Sequence, residues 1–371
     1  MDFKTSLSEN VALNFGIMYE NSNNVNHGNG VYEPNYVGGS QIPQGGILVP
    51  GSQGLGEGLG SGADGEFGVR SFYATFTPQS TATTIKIGKQ ELDSPITNAY
   101  EGDRGTGIFI QNNDIDGLTL MASAFDSWAI NSSNTGELIN TQRYAKIAEL
   151  TITKPLYSLA GIYNKDTAYG NFGAQLWGFY IKDFSDALIF SELSWKGSLF
   201  RAKAQYHYNL IDNSKDSFLA IYKDEKGNRG SHTRKNDLLA LELGANFKND
   251  YSLPLDMKLG YITNFADGTL VALENEGTGL ARAGKIWWNS YSIEADMSPL
   301  YFVNDKNNRF NLDVFYANVN YGFLDERLNV GLDFVYGRQD ATFKIYDDYP
   351  SPSEFQNFKT NFIEITPIIS W

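Results

Sequence analysis

The chain contains no cysteine among its 371 residues. A disulfide, a thiolate nucleophile and a zinc–thiolate site are therefore excluded. Histidine is nearly as scarce. His27, His207 and His232 lie far apart in the sequence, which argues against most acid–base and metal chemistry. Long apolar runs are missing too. No stretch approaches about 18 consecutive apolar residues, so no segment reads as a transmembrane helix. Positive charge is in short supply, with 29 Lys and Arg against 43 Asp and Glu and a formal net charge of −14. Nucleic acid needs a basic footprint and is not an expected partner; metal cations or cationic solutes are compatible with this charge. No signal peptide is visible, because Met1 runs directly into a polar, strand-like segment. The start reads as a mature or truncated boundary.

What is abundant points to strands. The chain has 37 Gly, 24 Phe and 22 Tyr, a combination that suits twisted strands, tight turns and aromatic girdles. Residues 200–209 read FRAKAQYHYN. Phe200, Ala202, Ala204, Tyr206 and Tyr208 share one face of a strand, and Arg201, Lys203, Gln205, His207 and Asn209 share the other. The same period of two runs through Leu239–Lys248, Leu255–Tyr261 and Leu328–Gly337.

Length decides between two all-β readings. Sandwich strands average roughly 5–6 residues. These alternating runs reach about ten, enough to cross a membrane at a tilt, and their polar faces carry the Gly, Asn, Asp and Lys of a wet lumen. Mean hydropathy is negative, which a wide barrel with polar loops tolerates. Turn signals occur at Asn112-Asn113-Asp114 with Asp116-Gly117. A second set at Leu324-Asp325-Glu326 joins Phe310–Tyr321 to Arg327–Gly337. Residues 21–66 and 211–236 are long polar connections, the first ending GLGEGLGSGADGE. Short turns at one end and long loops at the other are the barrel pattern. At about 20 residues per strand with its connection, an antiparallel transmembrane β-barrel of roughly 16–18 strands is expected. It occupies residues 1–371 as one domain. The last strand ends in Trp371, with Ile363, Ile365, Pro367 and Ile369 on its face.

One segment carries a family likeness. Gly88-Lys89-Gln90 is followed by TNAYEGDRGTGI at Thr97–Ile108 and NNDIDGLTLMASAFDSW at Asn112–Trp128. With FGAQLWGFY (Phe172–Tyr180), ALENEG (Ala272–Gly277) and VGLDFVYG (Val330–Gly337) in the same order, the chain resembles the Campylobacter-type major outer membrane porins, relatives of the OprD-like channels. The resemblance implies an 18-stranded homotrimer in outer-membrane lipid, with a loop folded inward to constrict the pore. It also implies a calcium ion near that constriction. The chain begins inside the family's second strand, so either an N-terminal strand lies outside this numbering or the strands pair differently.

Two constellations could serve a channel. Around the inward loop lie Glu91, Asp93, Glu101, Asp103 and Arg104, whose acids would set a local negative potential favouring cations. The resemblance puts Glu101 and Glu274 at calcium-ligating positions, with Asp126 or Glu137 closing the site. The second constellation is a basic ladder of Arg201, Lys203 and Arg338 read as facing the lumen. Opposed acids and bases would there create a transverse field that orients polar solutes. Asn112-Asp114-Asp116-Gly117 lacks the terminal Glu of a calcium loop and reads as a tight turn. The leading reading is a porin for passive diffusion of ions and small hydrophilic solutes. The first alternative is a substrate-specific channel guiding anionic or zwitterionic nutrients along the ladder. An outer-membrane hydrolase lacks a nucleophile motif here. A soluble β-rich binding protein would dissolve without detergent.

Overall fold

A computed structural model describes residues 2–20, 36–37, 40–41, 66–97, 104–129, 155–183, 185–212, 214, 234–268, 309–344 and 355–371. The protein is nearly all β. In chain order the strands are β1 (Asp2–Ser6), β2 (Val11–Glu20), β3 (Tyr36–Val37), β4 (Ser40–Gln41), β5 (Glu66–Phe76), β6 (Thr83–Glu91), β7 (Arg104–Ile115), β8 (Leu118–Ala129) and β9 (Leu156–Thr167). They continue with β10 (Gly170–Ile181), β11 (Ser185–Lys196), β12 (Phe200–Ile211), β13 (Lys235–Asn246), β14 (Leu255–Thr263), β15 (Arg309–Phe323), β16 (Leu328–Lys344) and β17 (Phe355–Ser370). The helix α1 (Lys248–Tyr251) is a single turn between β13 and β14.

Fifteen of these strands form one sheet in sequence order, with only the two-residue strands β3 and β4 standing apart as a pair of their own. Neighbours run antiparallel, with continuous registers such as Lys203↔Glu242 and Gly260↔Tyr316. Among the described residues fifteen strands join this sheet, against the 16–18 expected for the whole chain. Among the described residues no ladder joins β1 to β17, so the order has two ends. The strands divide into two compact units. The first holds β1, β2, β5–β8, the start of β9 and the end of β10. The second holds the rest of β9 and β10 with β11–β17.

Burial along these strands is inverted relative to a soluble protein. In the second unit Leu243, Leu259 and Ile365 are more than 60% exposed, while Gln205, Asn318 and Glu364 on the opposite face are less than 10% exposed. Water would penalise that arrangement; a sheet with lipid on one side and polar groups on the other requires it. The apolar face ends in polar anchors. Tyr206 donates its hydroxyl to Asp237 at 3.1 Å, and Tyr261 donates to Asp313 at 2.5 Å. In the first unit Phe3, Phe15 and Phe72 lie in one cross-strand row, their centroids 6.4 and 6.2 Å apart. Such pairs add stability beyond their buried area.

Turns follow the sequence signals with one shift. β7 continues to Ile115, so Asn112–Asp114 lie within a strand and the reversal falls on Asp116-Gly117, where Gly117 has φ 75°. Leu324, Asp325 and Glu326 form the β15–β16 turn, all with positive φ. Pro367 stands opposite Leu332 in the β16–β17 register.

The inversion generates a direct expectation. Leu259→Arg, on the exposed apolar face, should cost about 2–4 kcal/mol if it lies near the bilayer midplane. Lys258→Arg, one residue away on the polar face, should leave stability near the parent's. Equilibrium urea unfolding in phospholipid vesicles measures both.

Candidate functional site

Alternation aligns the polar side chains of β11–β17 on one face of the second unit. One row runs Ser194, Lys203, Glu242, Gly260, Tyr316, Val335 and Glu364 across seven strands. The next runs Lys196, Arg201, Gly244, Lys258, Asn318, Asp333 and Thr366. The expectation that Arg201 and Lys203 share a face is therefore met by the register, and that face is the polar one.

Their electrostatic role differs from a free basic ladder. The Arg201 guanidinium makes a two-pronged bond to Asp256, Nη1 to Oδ2 and Nη2 to Oδ1, each 2.7 Å. Asn246 donates a further bond to Asp256 at 3.0 Å. Lys203 Nζ lies 3.7 Å from Glu192, which also accepts from Gln205 at 2.6 Å. Lys258 Nζ is 3.5 Å from Glu242 and sits over the Tyr316 ring, whose hydroxyl donates to Glu242 at 3.0 Å. Each base thus stands beside a carboxylate, and the fork geometry of Arg201–Asp256 is the strongest of these contacts. Farther along, Asn318 donates to Asp333 and Thr366 donates to Glu364 at 2.7 Å.

Arg338 is a correction. It continues the exposed face of Phe334 and Tyr336, while Asp333, Val335 and Gly337 point the other way. Its even position in β16 fixes this, since parity in a strand assigns the face. It lies 3.7 Å from Asp340 and is largely solvated.

In the first unit β6 and β7 place Glu91 directly opposite Arg104. Arg104 is buried at 2% exposure. The chain then leaves β6 through a tight turn in which Ser94 and Thr97 exchange backbone bonds at 3.3 Å, while Ile96 is fully buried. Asp93 sits at its start, in solvent contact. Loss of surrounding water raises its carboxyl above the usual aspartate value, the Glu91 charge raises it further, and Lys86 opposes both. Glu101, Asp103, Glu137 and Glu274 lie outside the described residues. Asp126 falls at a register shift between β7 and β8, exposed, accepting from Ser127 at 3.1 Å. Among the described residues no group of three or more His, Asp or Glu is arranged to hold a metal.

Sequence reasoning placed Glu242, Asp256 and Lys258 on polar faces but did not single them out, and it missed Tyr316. Their partnerships depend on strand register, which alternation alone does not carry.

An antiparallel sheet with an apolar outer and a charged inner face is the wall of an outer-membrane β-barrel channel, and solved structures agree on the fold. The chain is similar to the outer membrane protein opdK of Pseudomonas aeruginosa, at 12% identity over 99% of this chain and 91% of that one, with a TM-score of 0.51. It is similar also to OccK8 (OprE) of Pseudomonas aeruginosa, at 12% identity over 98% and 87% of the two chains, with a TM-score of 0.50. No curated relative matches in sequence. The model of the Campylobacter major outer membrane protein family matches residues 1–371, and the chain belongs to that family. It resides in the outer membrane as a channel for small solutes.

Asp93 makes the loop's acidity measurable. A carboxyl raised in the folded state binds its proton more readily folded than unfolded, so stability falls as pH rises through the window between the two values. Relative to Asp93→Asn, the parent should gain stability on acidification from above Asp93's raised value, with the gain complete below the ordinary value of about 3.9. Unfolding midpoints of the two proteins across this pH range measure the effect. A difference independent of pH would contradict it.

Proposed function

We propose that this protein is a general, non-enzymatic porin that passes ions and small hydrophilic solutes by passive diffusion with a preference for cations. The observation that carries the reading is the pairing of Arg201, Lys203 and Lys258 with Asp256, Glu192 and Glu242. With these three bases held by carboxylates, this part of the wall offers anions no continuous guide, which favours a general pore over a channel selecting anionic nutrients. Cation preference is supported by the formal charge of −14 and by the adjacent Glu91 and Asp93 beside the β6–β7 connection. Lumen charges act strongly because low-dielectric walls focus their field. The absence of cysteine and the scarcity of histidine support a chain that does no covalent chemistry. The proposal takes residues 1–371 as one barrel domain, assembled as a homotrimer, with calcium held by Glu101 and Glu274 and completed by Asp126 or Glu137. Family membership is the support for the last two features.

Single-channel recording in planar bilayers tests the function. Current should rise in proportion to potassium chloride concentration, and the reversal potential in a salt gradient should move toward the potassium equilibrium value. Anion preference would overturn the cation reading, and saturable block by an anionic solute would replace the general pore with a substrate-specific one. A Glu101→Gln, Glu274→Gln variant should lose bound calcium by elemental analysis and lose heat stability; unchanged values would remove calcium from the proposal.

A further inference from the structure

Two long side chains on the inner wall of the second unit cross a neighbouring strand to reach a carboxylate two strands away. Arg201 on β12 passes over Gly244 on β13 and meets Asp256 on β14. Tyr316 on β15 passes over Gly260 on β14 and meets Glu242 on β13. Both crossings occur where the intervening strand carries glycine. A Cβ at Gly244 would stand 2.5 Å from Arg201 Nε, and a Cβ at Gly260 would overlap the Tyr316 ring at Cζ and Cε1. Neither glycine has the positive φ that would require one on conformational grounds. What glycine supplies at these positions is space.

The ring of Tyr316 is confined from above as well. Lys258 Nζ lies 5.5 Å from its centroid and 3.5 Å from Glu242. Tyr316, Lys258 and Glu242 therefore form one unit that lies flat because Gly260 is bare. Strands stand about 4.8 Å apart, so a side chain that crosses one must lie along the sheet; lifted off, it projects away from the wall by nearly its full length.

We propose that Gly244 and Gly260 are positioning residues for permeation: they let Arg201 and Tyr316 lie against the wall as straps, which keeps both side chains out of the pore and keeps Asp256 and Glu242 paired. This rests on the porin reading, in which the polar face lines the lumen. Bare glycines then set both bore and charge. Any side chain at Gly260 raises the Tyr316 ring into the lumen and takes the hydroxyl from Glu242, leaving that carboxylate more available to passing cations.

The test is single-channel conductance and reversal potential of four proteins in planar bilayers under a potassium chloride gradient. Gly260→Ala should lose conductance and shift its reversal potential toward potassium. Gly260→Ala/Tyr316→Ala should regain conductance, having no ring to displace, while keeping the shift. Tyr316→Phe should keep the parent's conductance and show the shift alone. The inference is overturned if Gly260→Ala matches the parent, or if the double variant conducts as poorly as the single, since that marks a packing defect. Should Gly260→Ala fail to insert, an unshifted reversal potential in Tyr316→Phe overturns it by itself. A parent that opens no channels would sink the porin reading and this one together; a conducting parent with unaltered variants would sink only this one.

Discussion

Everything in this structure depends on one constraint: backbone amides and carbonyls in hydrocarbon have no water to bond and must be satisfied within the protein. Antiparallel ladders satisfy them between strands, and this frees the side chains to sort by face. The result is the inverted burial of β11–β17, with leucine and isoleucine exposed on one side and charged residues enclosed on the other. Once the sheet is committed to lipid, the positions of Lys203, Glu242 and Asp256 follow from parity alone. Their chemistry follows from their neighbours.

The alternation was legible in the residues. Phe200–Asn209 showed both faces of β12 without error, and the hairpin at Leu324–Glu326 fell where it was expected. A period of two needs only local order, and local order is written locally. The basic ladder went wrong at Arg338 because that residue was read as polar-facing by its charge, although its position puts it on the exposed face of Phe334 and Tyr336. Side-chain chemistry is a weaker guide than parity near a strand's end, where solvent meets both faces.

Register was the information that alternation lacks. Knowing that Tyr316 faces inward does not reveal that Gly260 stands opposite and Glu242 beyond it. A slip of two residues would preserve every face while placing Tyr316 against Lys258 or Ile262. Side chains on the exposed face tolerate such a slip better than these, because lipid accepts any apolar neighbour. The inner wall does not: the Tyr316 ring overlaps any Cβ at Gly260, and Arg201 reaches Asp256 only past Gly244. These glycines therefore help specify register as well as space. The same fit that shapes the wall also selects the pairing that builds it.

The pairing has a consequence for where selectivity resides. Arg201 with Asp256, Lys203 with Glu192 and Lys258 with Glu242 each sum to zero, so none contributes to the net charge of −14. The surplus of acid lies elsewhere in the chain, with Glu91 and Asp93 in its share. Fields from solvated charges fade over about 8 Å at physiological salt, whereas a neutral pair loses its reach within the pair's own length. A pore with this wall presents little net charge along β11–β14 and leaves its discrimination to acids at other levels. Selectivity of that kind weakens as salt rises, because exposed acids are screened while paired ones have nothing left to screen. A channel reading ions through an ordered basic ladder on these strands would need Arg201 and Lys203 released from their carboxylates, and Gly244 is the residue that lets Arg201 stay bound.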